Sequence, residues 1–98
     1  MKYISISILV PVFNEKHTIK ECINRILNSD TCGLKKEIII SDNNSTDGTK
    51  EILKEINDEK VKCLFKDKNE GKGANIRNAL KYAQGDLILF QDADLEYH

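Results

Sequence analysis

Apolar and polar positions alternate with a period of two at the start of the chain, then with a helical period, and the exchange repeats to the end. Ile4, Ile6 and Ile8 alternate with Ser5 and Ser7 before the run Leu9-Val10. That pattern predicts a strand over Tyr3–Val10 entering a core, stopped by Pro11. Ile19, Ile23, Ile26 and Leu27 fall on one face of a helix over Thr18–Ser29, closed by Ser29–Gly33. Ile38-Ile39-Ile40 builds a second strand over Glu37–Asp42. Ile52, Leu53 and Ile56 mark the buried side of a helix over Asp47–Asn57, with Asp47 or Thr46 as its N-cap. Val61–Phe65 reads as a short strand. Ile76, Ala79, Leu80 and Ala83 give the inner face of a helix over Ala74–Gln84. Gly85-Asp86 makes a turn into a last strand, Leu87–Gln91.

The resulting order, β-α-β-α-β-α-β, calls for an α/β fold with a parallel sheet and helices on its faces. Right-handed crossovers then give the strand order 3-2-1-4, with the reversal between the first and fourth strands. No repeat, low-complexity tract or proline-rich linker divides residues 1–98, which read as one unit.

Composition narrows the class. The chain has 98 residues, 40% apolar and 32% charged, which suits a small soluble domain with a modest core. A net charge of -1 gives no basic field for nucleic acid or an anionic membrane. Cys22, Cys32 and Cys63 are odd in number and lack metal-ligand spacing. They read as small hydrophobes in a reducing compartment. The N-terminal apolar run is too short for a signal sequence, and no stretch reaches the ~20 residues that span a bilayer.

Candidate chemistry sits after the strands, where open parallel sheets bind ligands. Pro11-Val12-Phe13-Asn14-Glu15 follows the first strand and Asp42-Asn43-Asn44-Ser45-Thr46-Asp47-Gly48-Thr49 the second. Lys66-Asp67-Lys68-Asn69-Glu70-Gly71-Lys72-Gly73 follows the third and Asp92-Ala93-Asp94 the fourth. Any one of these is as readily an ordinary turn or cap; four at one end of a sheet favour a site. A dinucleotide fingerprint is excluded because Pro11–Glu15 has no glycine. A P-loop is excluded because Asp67 stands where its first glycine belongs. A calcium loop from Asn43 fails at its twelfth position, Lys54.

Together these segments resemble the family-2 nucleotide-sugar glycosyltransferases of the GT-A fold. Pro11-Val12-Phe13-Asn14-Glu15 is similar to their opening P-x-[YF]-N-E, and Asp42–Thr49 to their D-[DN]-[GN]-S-x-D-x-[ST] loop. Asn69–Gly73, Arg77, Gly85-Asp86 and Gln91-Asp92-Ala93-Asp94-Leu95-Glu96 most resemble the polyprenyl- or dolichol-phosphate mannosyl- and glucosyltransferases. The resemblance runs from Ile6 to Tyr97.

It implies a Rossmann-like nucleotide-binding half of a GT-A fold, ending just after the Asp-x-Asp motif. Pro11, Phe13 and Glu15 would line the base and ribose pocket, and Asp42 would anchor its floor. Asn43, often Asp in relatives, leaves uracil or guanine open, because an amide both donates and accepts. Asp92 and Asp94 would handle the ribose and a Mg²⁺ or Mn²⁺ on the diphosphate, with Lys72 as a further contact. The implied function is inverting transfer of a sugar from a UDP- or GDP-type donor to a polyprenyl phosphate or saccharide of the cell envelope. No catalytic base falls within the chain; one is expected downstream of His98, with the acceptor half. The implied place is the cytoplasm, at a membrane if absent segments attach it. The alternative is a non-catalytic nucleotide-binding or interaction domain that kept the fold. The fourth strand, as an open edge, is expected to support self-association.

Overall fold

The computed structural model describes residues 3–94. The strands are β1 (Ser5–Val12), β2 (Lys35–Asp42), β3 (Val61–Phe65) and β4 (Leu87–Phe90); the helices are α1 (Ile19–Asn28), α2 (Thr49–Lys54) and α3 (Lys72–Leu80). The strands form one parallel sheet in the order β3-β2-β1-β4, as the alternating pattern requires.

The central strands carry the core because both their faces are covered. Ile8, Val10 and Val12 of β1 and Ile38 and Ile40 of β2 turn to one face, where they meet Ile19, Cys22, Ile23 and Ile26 of α1 and Leu53 of α2. Leu9 and Ile39 turn to the other and meet Ala79 of α3. Lys36 reaches past the sheet to the end of α1, where its Nζ donates to Ile26 O at 2.8 Å and Ser29 O at 2.7 Å. The carbonyl end of α1 is thereby tied to β2 by a positive charge.

Several boundaries differ from the sequence pattern. Pro11 does not stop β1, which continues to Val12 paired with Asp42. In a parallel ladder alternate residues turn to opposite neighbours. Val12 O faces β2, accepting from Asn43 N, and Leu9 O faces β4, accepting from Gln91 N. Pro11 has the parity of Leu9, so its missing N–H is absent on the β4 side only. Pairing with β4 ends at Leu9↔Phe90 while pairing with β2 runs on. The proline thus marks where the sheet parts.

α2 is shorter than the apolar spacing suggests. Glu55 N and Ile56 N bond back three residues, to Ile52 O and Leu53 O, tightening the last turn until the helix ends. Its N-cap position is Gly48, and Asp47 reaches over it to accept from Thr49 N at 3.0 Å. α3 begins two residues early, at Lys72, because Gly71, with φ of 92°, turns the chain into it. The packed row of α3 is Asn75 and Ala79; Leu80, expected inside, is 42% exposed. Asn75 Nδ2 donates to Ser41 O at 2.8 Å and to Val12 O at 3.4 Å, which fixes that row, rather than the Ile76–Leu80 row, against the sheet. Leu95, Glu96 and Tyr97, the end of the stretch that carries the resemblance, lie outside the described residues.

Candidate functional site

The parting of β1 from β4 opens a cavity of about 330 Å³ at the carboxyl end of the sheet. Among the residues around it are Pro11, Phe13, Glu15, Asn43, Lys72, Asp92 and Asp94. These are seven of the eight positions singled out in the sequence. The eighth, Asp42, is fully buried beneath them. Its carboxylate accepts from Ser45 Oγ at 2.6 Å and Ser45 N at 3.0 Å, closing the turn that starts the loop after β2.

The loop after β1 is held by the loop after β2. Asn14 adopts a left-handed φ of 53°, which asparagine tolerates well. Its N–H donates to Ser45 Oγ at 2.8 Å and its Oδ1 accepts from Thr46 N at 2.8 Å. Glu15 N donates to Thr49 Oγ1 at 3.0 Å and Lys16 N to Asp47 Oδ2 at 3.2 Å. Burial works against the Asp47 carboxylate, but its bonds from Thr49 and Lys16 outweigh this and hold it below the ordinary aspartate range. The S-T-D-G-T run is therefore a clamp on the Phe13–Glu15 segment.

The acidic loop is placed by α1. Ala93 is 3% exposed and belongs to the core, so its two neighbours turn outward and are exposed. Thr18, at the N-cap position of α1, makes no capping bond to the helix. Its Oγ1 donates to Ala93 O at 2.7 Å, and Cys22 Sγ lies 3.7 Å from Asp92 O. Burial pushes the Cys22 thiol up to about 11, keeping it a neutral donor. A small buried residue between two aspartates is the physical content of Asp-Ala-Asp here.

Negative charge gathers at this end. The Glu15 carboxyl is pushed above its ordinary value, first by burial and then by Asp94, Asp47 and Asp92, against a lowering bond from Thr18. An acid with a raised value in the fold contributes stability below its ordinary value that is lost as pH rises through the raised one. Glu15→Gln is therefore expected to melt above the wild type at pH 7. The difference should close as pH falls below the ordinary glutamate range, which thermal melts at a series of pH values will check. Opposite to these carboxylates, Lys72 Nζ pairs with Asp92 Oδ1 at 3.1 Å, with both side chains exposed. Among the described residues no group of three or more His, Cys, Asp or Glu is arranged to hold an ion.

The sequence pattern assigns no individual role at the site to Thr18, Cys22, Asn69 or Asn75. Thr18 and Cys22 looked like parts of an ordinary amphipathic helix. Asn75 and Asn78 are recoverable in principle. They stand at i and i+3 on a helix facing Ser41, the polar residue that follows the apolar run of β2, and Asn78 Nδ2 donates to Ser41 Oγ at 2.9 Å.

The chain is similar to known proteins in sequence and in fold. The glycosyltransferase AglE of Haloferax volcanii is 30% identical over 95% of this chain, which spans 31% of that protein. A dolichol-phosphate mannosyltransferase of Pyrococcus furiosus is 32% identical over 94% of the chain, which spans 26% of it. Among solved structures, a mannosyltransferase of Pyrobaculum calidifontis in complex with GDP-Man and Mn²⁺ matches 95% of the chain with a TM-score of 0.85 and 27% identity. TarS 1-349 of S. aureus in complex with UDP matches 93% with a TM-score of 0.81 and 31% identity. The chain spans 28% of each of those two, so it is under a third of the length of all four. With the GT-A strand order and a match to the description Glycosyl transferase family 2 over residues 7–98, the chain belongs to family 2 of the glycosyltransferases.

Proposed function

We propose that this chain supplies the donor site of a glycosyltransferase that takes a nucleoside-diphosphate sugar and passes the sugar to a lipid-linked or saccharide acceptor. The observation that carries the reading is the cavity at the parted ends of β1 and β4. It joins an apolar wall, Pro11 and Phe13, to Asp92, Asp94 and Lys72. A nucleoside diphosphate has the same division, with an apolar base face at one end and a doubly charged phosphate pair at the other.

Asp92 and Asp94 fit a hard divalent cation. They are two exposed carboxylates on a short loop whose negative field is felt at Glu15. Mg²⁺ and Mn²⁺ prefer oxygen donors, and Mg²⁺ is usually held by one or two carboxylates together with substrate phosphates, so a third protein ligand is not required. Such an ion, when bound, supplies Lewis-acid stabilisation of the departing diphosphate. Lys72 adds a fixed positive charge beside the same phosphates. Phe13 and Pro11 exclude water from one side of the base. Asn43 and the loop it holds close the other. An acceptor attacking the sugar from the face opposite the diphosphate inverts it. A polyprenyl phosphate needs no general base because it is already an anionic nucleophile, whereas a hydroxyl acceptor needs one.

The test is thermal stabilisation by UDP, GDP and dTDP, each with and without Mn²⁺. The reading expects stabilisation by at least one, increased by the ion. No shift with any nucleoside diphosphate would remove it and leave a non-catalytic interaction domain. The lipid-linked acceptor would place the working protein on the cytoplasmic side of a membrane. Among the described residues no helix is long and apolar enough to cross one.

Among the described residues β4 stands at an edge of the sheet, and it carries its own proposal. Ile88, Leu89 and Phe90 are 45%, 49% and 53% exposed, and no lysine interrupts the strand. The other edge, β3, has Lys62 in its middle, a residue that discourages edge pairing. Self-association through β4 follows. Leu89→Lys is expected to shift light scattering toward monomer at high micromolar concentration; an unchanged oligomer would place the contact elsewhere.

A further inference from the structure

The net charge of -1 conceals a segregation of charge. Residues 60–82 hold seven lysines and arginines against two acids, Asp67 and Glu70, a net of +5. The rest of the chain holds eight against fourteen, a net of -6. The basic segment comprises β3, the loop after it and α3, so the excess falls on one flank of the sheet.

The fold gathers part of this excess around an open groove of about 490 Å³. Lys66 and Lys68 line it from the loop after β3, and Asn78 and Tyr82 line it from α3 and the turn that follows. Lys62 is in register with Ile39, on the face of the sheet that α3 covers, and its Nζ stands 5.8 Å from the centre of the Tyr82 ring. The Glu70 carboxyl marks where the lysines of loop and helix converge. Its bond from Lys66 at 2.8 Å, with the fields of Lys66, Lys68 and Lys81, holds it below the ordinary glutamate range. Lys66 is thereby matched. Lys62, Lys68 and Lys81 form no salt bridge among the described residues. Two aromatic rings accompany them, Tyr82 at 45% exposed and Phe65 at 37%.

The chemistry of the flank identifies what it can meet. Every residue lining the groove is exposed or half-buried, and its cations are lysines on flexible stems. That makes a diffuse positive field rather than a seat shaped for one phosphate. Exposed rings beside lysine stems suit the headgroup level of a bilayer, where the ring lies in the interface and the ammonium reaches phosphate. A long polyanion such as nucleic acid is disfavoured, because Asp92 and Asp94 stand at the same carboxyl end of the sheet as Lys66 and Lys68. We infer that the β3–α3 flank docks on the anionic headgroups of a lipid bilayer through Lys62, Lys68 and Lys81, with Tyr82 beside them. The groove and the donor cavity share a loop: Lys66, Lys68 and Glu70 line the first, Asn69 and Gly71 the second. Docking here holds the donor cavity beside the bilayer, where a lipid-linked acceptor is found. The choice of a bilayer rests on the lipid-linked acceptor of the proposed function; the segregation of charge does not.

Co-sedimentation with vesicles, without nucleotide, tests the inference. Binding is expected to vesicles of phosphatidylcholine and phosphatidylglycerol in equal parts, falling as salt is raised, with none to phosphatidylcholine alone. Lys62→Gln, Lys68→Gln and Lys81→Gln should each weaken it roughly fivefold. Lys20→Gln and Lys35→Gln remove the same charge from exposed positions off the flank and should leave it unchanged. In anionic bicelles the wild-type amide signals of Lys62, Lys68 and Tyr82 should broaden more than that of Lys20, a readout that needs no variant to fold. Equal weakening by all these substitutions would reduce the effect to net charge and overturn the inference. So would equal binding to both kinds of vesicle, or displacement by inorganic phosphate beyond that by chloride at equal ionic strength. Binding to heparin or to an acidic peptide without binding to vesicles also overturns it. No vesicle binding, with stabilisation by UDP or GDP intact, overturns this inference alone. Vesicle binding through these lysines with no stabilisation by any nucleoside diphosphate removes the donor-site reading and leaves the docking flank standing.

Discussion

Gly85→Ala is expected to unfold the β4 side of the sheet. A Cβ at this position would stand 2.6 Å from Ser7 N and 2.8 Å from Ile6 C, both backbone atoms of the central strand that cannot swing aside. Gly85 N also donates to Ser7 Oγ at 2.8 Å. Next to it, Asp86 Oδ2 accepts from Ile4 N at 2.9 Å and Asp86 N donates to Ser5 Oγ at 3.0 Å. This knot registers β4 against β1, and β4 delivers Asp92 and Asp94. Overpacking of this kind costs about 3 kcal/mol. In a domain of this size that lowers Tm by roughly 10–20 °C. Gly73→Ala is the internal control. It sits inside α3 with only the tip of Arg77 nearby, at 3.4 Å, and is expected to stabilise by up to about 1 kcal/mol. Opposite signs for the same exchange in thermal melts would trace the effect to close approach of backbones rather than to glycine as such.

Asp94→Ala should change the sign of its effect with the metal. Without a divalent ion, Asp94 only repels a diphosphate, so the variant is expected to bind nucleoside diphosphate slightly better than the wild type. With Mg²⁺ or Mn²⁺ it should bind worse, by roughly tenfold, about 1.4 kcal/mol, because the ion has lost a ligand. Asp42→Ala should weaken binding under both conditions. It leaves Ser45 N and Oγ without the acceptor that shapes the loop, a loss of about 1–3 kcal/mol for buried groups. Calorimetric titrations with and without ion separate the two. An Asp94→Ala protein with undiminished metal enhancement would remove Asp94 from the metal's surroundings.

The sheet order and seven of the eight proposed cavity positions were legible because they follow from strong signals. Three apolar runs separated by helical periods leave few parallel arrangements, and polar residues directly after strands must share one end of the sheet. Residues whose role depends on a distant backbone atom were not legible. Thr18 reads as the first residue of an amphipathic helix until its hydroxyl is seen on Ala93 O, 75 positions away. Pro11 reads as a strand stop because the sequence does not reveal which neighbour its nitrogen faces. Leu80 belongs to the apolar row of α3 by spacing, and only the bonds of Asn75 to Ser41 O and Val12 O rotate it outward. Asn43 follows Asp42 in a motif, but the motif does not reveal its bonds to Glu70, Asn69 and Gly71, which tie the loop after β2 to the loop after β3.

The central claim is that nucleoside diphosphate binds where β1 and β4 part. Backbone amide shifts of the ¹⁵N-labelled chain, titrated with UDP or GDP in Mg²⁺, test it most directly. The account expects the largest changes at Phe13, Asn43, Asn69–Lys72 and Asp92–Asp94, with Lys62 and Tyr82 on the far flank unmoved. Changes centred instead on the Cys63–Lys68 and Tyr82 side of the sheet, or saturating binding that leaves Phe13 and Asp92–Asp94 unmoved, would contradict it.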